Sequence, residues 1–151
     1  MTPPTTIADV IQAAIVMEQT GMDFYQALAG ASDDPKVRKL CAELALQEAN
    51  HRRRFETLLR QNCPACRPDP QGMTDLSVKA KEYIQPGPVA VKEVAIGGNL
   101  VDALNMAMQM EQHAISFYRQ IAGTLTELAQ DIQPIIEEET RHLQVLRSLR
   151  Q

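Results

Sequence analysis

Apolar residues return every three or four positions along four stretches of this chain, the rhythm of helices with one buried face. The first stretch, about residues 6–29, places Ile11, Ile15, Glu18, Met22 and Tyr25 on one line. The second, 35–61, carries Val37, Cys41, Leu44, Glu48, His51, Phe55 and Leu58 at the same spacing. The third, 99–122, reads Leu104, Met108, Glu111, Ile115, Tyr118 and Ala122, and the fourth, 125–150, reads Leu128, Ile132, Ile135, Glu139, His142, Leu146 and Leu149. Each apolar stripe is interrupted near its middle by ionisable residues, so those residues are expected on the core side.

Local signals mark the ends. Thr6 and Asp9 have capping-box spacing, and Asn99 with Asp102 offers the same chemistry. Gly30 to Pro35 reads as stop, turn and restart, with Pro35 at the first helical position. Gly123 reads as a stop before the fourth stretch, with Thr124 and Glu127 as its capping box. Pro134 conflicts with the fourth pattern; the intact apolar stripe before it favours a kink there, with a helix that begins at Pro134 as the alternative. Each pair of stretches has a short connection and must form an antiparallel hairpin. Residues 62–98, rich in Pro and Gly, separate the pairs. A helix of about 25 residues is roughly 38 Å long, and about a dozen extended residues span it. Residues 62–98 are ample for that return, with room for a short helix around Asp75 to Ile84. The expected fold is all-α: a single domain over 1–151, built as a ferritin-like antiparallel four-helix bundle of two helical hairpins joined by a long crossover, with helices two and three parallel.

Composition agrees with helices: three Phe, three Tyr and no Trp among 151 residues, a length that buries a real core. A net charge of −4 argues against a nucleic-acid-binding surface. No run reaches the ~18 uninterrupted apolar residues of a membrane span, and Met1 to Thr6 lacks the basic start and apolar run of a secretion signal. Three cysteines are too few for a disulfide framework, so a reducing, cytoplasmic setting is expected.

The ionisable residues in the stripes form a duplicated set. Glu18 and Glu111 sit in near-identical contexts, each after Met and seven residues before a tyrosine, Tyr25 or Tyr118. Glu48/His51 and Glu139/His142 are both Glu-x-x-His pairs. The offset between halves is 93 residues for the lone glutamates and 91 for the pairs. One such pair is a weak signal, and helix glutamates are usually solvated. Six in phase with the core, all near mid-helix, fall in one layer of a bundle. Four buried carboxylates need cations, and two divalent ions would neutralise them. Oxygen-rich ligation with one imidazole per ion suits iron or manganese better than structural zinc. By symmetry, Glu18 and His51 would hold one ion, Glu111 and His142 the other, with Glu48 and Glu139 bridging. Tyr25 and Tyr118 are either core residues with satisfied hydroxyls or partners of the metal carboxylates, with a redox role open to them. His113, two positions from Glu111, points elsewhere. Cys41 is expected to be a small buried hydrophobe.

Glu18, Glu48-Ala-Asn-His51, Glu111 and Glu139-Thr-Arg-His142 resemble the di-iron helical domain of rubrerythrins, within the ferritin-like superfamily. The resemblance covers all four stretches, about two-thirds of the chain. It implies a non-haem di-iron protein that reduces hydrogen peroxide or dioxygen, or oxidises ferrous iron, usually as a homodimer or larger assembly. Rubrerythrins commonly carry a further glutamate one turn from the third-helix ligand. Met108 stands in that place here, leaving a six-ligand set closer to that of bacterioferritin. The chain ends at Gln151 without a rubredoxin segment, so a separate electron donor such as a rubredoxin is expected. A diferrous pair giving two electrons to peroxide or dioxygen leads; a ferroxidase serving iron binding and storage, and a metal-stabilised bundle without turnover, are the alternatives. Cys63-Pro-Ala-Cys66 is open among a redox-active dithiol, half of a metal site shared between subunits, and loop thiols without a catalytic part.

Overall fold

The computed structural model describes residues 6–68 and 99–150. Among these residues there are four α-helices, α1 (Ile7–Ala31), α2 (Pro35–Asn62), α3 (Leu100–Thr124) and α4 (Ala129–Arg150), with a 3₁₀ turn, Thr126–Leu128, leading into α4. No strand occurs among the described residues. Most of the crossover, and the short helix expected at Asp75 to Ile84, lie outside them.

Capping sets most of the helix starts. At α1 the Thr6 hydroxyl accepts from the Asp9 N–H while the Asp9 carboxylate accepts from the Thr6 N–H, a complete capping box. At α2, Asp34 is the N-cap, accepting from the Lys36 N–H at 2.9 Å, and Pro35 occupies the first turn. At α3, Asn99 accepts from the Asp102 N–H at 2.8 Å. The fourth start differs from the expected one. Thr124 is the last residue of α3, not a cap, and the Leu125 position makes no side-chain capping bond. Gly123 stays helical because a glycine one residue from a helix end costs only about 1 kcal/mol, and the Leu125 N–H still closes on the Ile121 carbonyl. Nor does α4 begin at Pro134. It begins five residues earlier and runs unbroken to Arg150. Gln130, four residues before the proline, lies in the first turn of α4, next to the 3₁₀ turn.

Side-chain pairs fix the helix directions. Arg54 pairs with Glu138 and Gln47 with His142, so residue numbers fall along α2 as they rise along α4. Tyr25 pairs with Glu111 and Glu18 with Tyr118, which makes α1 and α3 antiparallel. Asn105 pairs with Arg150 and Glu111 faces His142, which does the same for α3 and α4. Because the tight Ser32–Asp34 turn makes α1 and α2 antiparallel, α2 and α3 must run parallel. This is the four-helix arrangement that needs one long crossover.

The main packing lies within each hairpin, α1 on α2 and α3 on α4, and α1 also touches α3. The core is aliphatic at its ends, with Ile11, Ile15, Leu59, Ile132, Ile135 and Leu146 all buried. Beside the central layer it is aromatic. Phe55 lies 5.1 Å from Tyr118 and Phe24 packs edge-on to Tyr25 at 5.5 Å, centroid to centroid. Cys41 is fully buried and free. Cys63 and Cys66 are joined as a disulfide at the C-terminal end of α2. That pairing sets aside half of a metal site, since a disulfide offers no thiolate ligand; it is compatible with a redox-active pair or with a loop pair that has no catalytic part.

Candidate metal centre

Glu18 on α1, Glu48 and His51 on α2, Glu111 on α3, and Glu139 and His142 on α4 converge in the middle of the bundle. None is more than 4% exposed. They meet because each lies on the apolar stripe of its helix, and residues three apart share a face. The two imidazoles stack at 5.8 Å with their planes 21° apart. Two groups of possible ligand atoms result, each within 4.8 Å: Glu18, Glu48, His51 and Glu139 in one, and Glu48, Glu111, Glu139 and His142 in the other. Glu48 and Glu139 belong to both.

Both rings turn Nδ1 toward the carboxylates. His51 Nδ1 is 2.7 Å from Glu139 Oε1, 3.5 Å from Glu18 Oε2 and 3.9 Å from Glu48 Oε2. His142 Nδ1 is 3.2 Å from Glu48 Oε1, 3.5 Å from Glu139 Oε2 and 3.6 Å from Glu111 Oε1. The tyrosines cross between hairpins. Tyr25 donates to Glu111 Oε1 at 2.7 Å, and Tyr118 donates to Glu18 Oε1 at 2.6 Å. Each thus binds the lone glutamate of the other half, a pairing that sequence spacing along one helix could not reveal. His113 is half-buried and supplies no atom to either group.

The electrostatics are those of a cation site. Burial pushes every carboxyl upward, and the repulsion of the neighbouring carboxylates keeps Glu48 and Glu139 well above the usual range. Burial acts on Glu18 as well, but Glu48, His51 and Tyr118 outweigh it and hold Glu18 down at about 2. Glu111 is lowered in the same way against burial by Glu139, His142 and Tyr25. Burial works against protonating the histidines, yet the carboxylates raise His51 to about 11 and His142 to about 10. With Glu48 and Glu139 protonated, Glu18 and Glu111 ionised and both imidazoles protonated, the combination these directions favour, the metal-free cluster would carry no net charge. Two divalent cations could take the place of four protons, two from Glu48 and Glu139 and two from the histidines, with the same net charge.

Two carboxylate oxygens test the fit directly. Glu18 Oε2 and Glu111 Oε2 are buried without a hydrogen-bond partner, although buried polar atoms are nearly always satisfied. They belong to opposite halves of the site, and each is the spare oxygen of a glutamate whose other oxygen accepts from a tyrosine. A cation in each group would occupy them. Four carboxylates and two imidazoles, with no thiolate, favour iron or manganese.

A cavity of about 30 Å³ opens against the four carboxylates, walled by Met17, Thr20 and Gly21 of α1 and by Met110 and Ala114 of α3. It is about the size of one water molecule. Gly21 makes the room: a Cβ there would stand 3.5 Å from the Glu48 carboxyl carbon. The structure also brings in residues that the helical stripes could not indicate. Gln47 and Glu138, each immediately before a ligand glutamate, contact the outer nitrogens of His142 and His51. Their matching positions in the repeat were the available signal.

Among the described residues, no helix is long and apolar enough to cross a membrane. No curated protein and no solved structure matches the chain. The family model for rubrerythrin matches residues 9–150, nearly the whole length, and the chain belongs to the rubrerythrin family.

Proposed function

We propose that this chain is a non-haem di-iron oxidoreductase that reduces hydrogen peroxide, or dioxygen, with electrons held at a diferrous centre. Glu18 and His51 would hold one iron, Glu111 and His142 the other, with Glu48 and Glu139 shared between them. The observation that carries the reading is the pair of buried ligand groups with two carboxylates in common. When bound, the iron pair supplies two electrons to a small oxidant.

The chain's own residues do the rest. Glu48 and Glu139, common to both groups, would be shared by the two ions and hold them close together. Tyr25 and Tyr118 pin one oxygen of Glu111 and Glu18, leaving the other free to ligate. The cavity beside Gly21 has room for an occupant about the size of one water molecule next to the carboxylates, which suits a small oxidant. Met17, Met110 and Ala114 make its outer wall apolar, which suits a neutral oxidant. Electrons would come from a separate donor such as a rubredoxin, with the chain acting as a homodimer or larger assembly in the cytoplasm.

Stopped-flow mixing of the diferrous protein with peroxide and with dioxygen tests the proposal. Oxidation of both irons much faster with peroxide than with dioxygen is expected. Uptake and oxidation of many irons per chain would instead establish iron storage, and bound metal that no oxidant touches would leave a structural bundle.

A further inference from the structure

The two halves of the site match at all six ligands but differ one residue earlier. Gln47 precedes Glu48 in α2, and Glu138 precedes Glu139 in α4. Each reaches across the bundle to the other hairpin's histidine, on the nitrogen that faces away from the carboxylates. His51 Nε2 donates to Glu138 Oε2 at 2.7 Å, whereas His142 Nε2 contacts the amide oxygen of Gln47. Arg54 Nη1 donates to the same Glu138 oxygen at 2.9 Å and anchors it.

A histidine that ligates through Nδ1 is neutral there and keeps its proton on Nε2. The acceptor facing that proton sets ring orientation and donor strength. A carboxylate acceptor forms a charge-assisted hydrogen bond, roughly twice as strong as that to a neutral amide. It draws the Nε2 proton outward and leaves more electron density on Nδ1. The Gln47 amide does this for His142 only weakly. Gln47 and Glu138 contact the ligand rings but belong to neither ligand group themselves, so the difference reaches the ions through the rings. The near-symmetric ligand cage therefore has one strong imidazole and one ordinary one.

We propose that Glu138, held by Arg54, is a positioning residue that acts through His51 and makes the Glu18/His51 metal position the tighter of the two. The two ions then enter in order, the Glu18/His51 position first. The inference rests on the two-metal reading of the site and adds that the two positions are unequal. Replacing an outer partner of a ligating histidine typically changes metal affinity by 10- to 100-fold, and that is the expected size of the gap.

The test is an anaerobic titration of the metal-free protein with Co²⁺, followed by visible absorption and calorimetry. Wild type is expected to bind two Co²⁺ in two resolved steps. Glu138→Gln gives both rings amide partners and should weaken the first step 10- to 100-fold, so that the steps merge. Gln47→Glu should tighten the second step by a comparable factor. His51→Ala should abolish the tight step, and His142→Ala should retain it. A structural role for Glu138 would lower the melting temperature and shift both steps alike, leaving their separation unchanged. Equal steps in wild type, or an unchanged separation in Glu138→Gln, would overturn the inference while leaving the two-metal reading intact. Binding of fewer than two Co²⁺ by wild type would overturn both.

Discussion

Tyr118→Phe removes one oxygen atom from a fully buried ring and changes nothing else in shape. The lost hydroxyl donates at 2.6 Å to Glu18, a carboxylate held ionised down to about pH 2. Hydrogen bonds to charged groups contribute about 1.5–3 kcal/mol. For a domain of this size each kcal/mol moves the melting temperature by roughly 2–4 °C. The metal-free variant should therefore melt about 3–12 °C lower at pH 7. Tyr25→Phe should do the same through Glu111. Both bonds join α1 to α3, so they tie one hairpin to the other. The pH dependence follows from the sign of the shift. Glu18 is depressed below its ordinary 4.5, so its contribution is present above pH 4.5 and lost as pH falls toward 2. Part of that depression comes from Tyr118, so the gap between variant and wild type should narrow over the same interval. The measurement is thermal unfolding by far-UV circular dichroism from pH 3 to 7, with a Glu18→Gln background to isolate the coupling. A variant melting within 1 °C of wild type at pH 7 would refute the bond as a stabilising contact.

Three other outcomes follow from the same geometry. His51 and His142 are raised to about 11 and about 10, so their contribution to metal-free stability is complete below pH 6.5 and lost as pH rises toward those values. The raised Glu48 and Glu139 act in the same direction. Melting temperature should fall from pH 6.5 to 10 in metal-free protein and much less with Mn²⁺ bound, and a flat metal-free profile would count against this electrostatic picture. Gly21→Ala places a methyl group in ordinary contact with Glu48 and fills the small cavity. It should stabilise α1 by up to about 1 kcal/mol while slowing oxidation of the diferrous protein by on the order of tenfold; an unchanged rate would show that the oxidant enters elsewhere. Pro134 is exposed within α4, so Pro134→Ala should stabilise the protein by up to about 3 kcal/mol in chemical denaturation, and a loss of stability would show that the proline suits its local backbone.

Much of this architecture was legible because helices write their buried face into the sequence. Glu18, Glu48, His51, Glu111, Glu139 and His142 could be singled out because each interrupts an apolar stripe, and Thr6 and Asn99 because capping is a local bond. Contacts between helices were less accessible. Which glutamate each tyrosine meets depends on the antiparallel pairing of α1 with α3, and the contacts of Glu138 and Gln47 depend on α2 lying opposite α4. Periodicity places a residue on a face but not opposite a partner. Near Gly123 residue preference misled: helix packing kept it inside α3, where a single glycine is outweighed by its neighbours, whereas the unbroken apolar stripe on both sides of Pro134 already favoured a helix that continues through it.

The central claim is that these six side chains hold two metal ions with Glu48 and Glu139 in common. A crystal structure of the iron-reconstituted protein, with anomalous data collected at the iron edge, addresses it most directly. The expected map has two anomalous peaks roughly 3.5–4 Å apart, one beside Glu18 and His51 and the other beside Glu111 and His142, with Glu48 and Glu139 reaching both. A single peak, or iron bound away from these residues, would contradict the account.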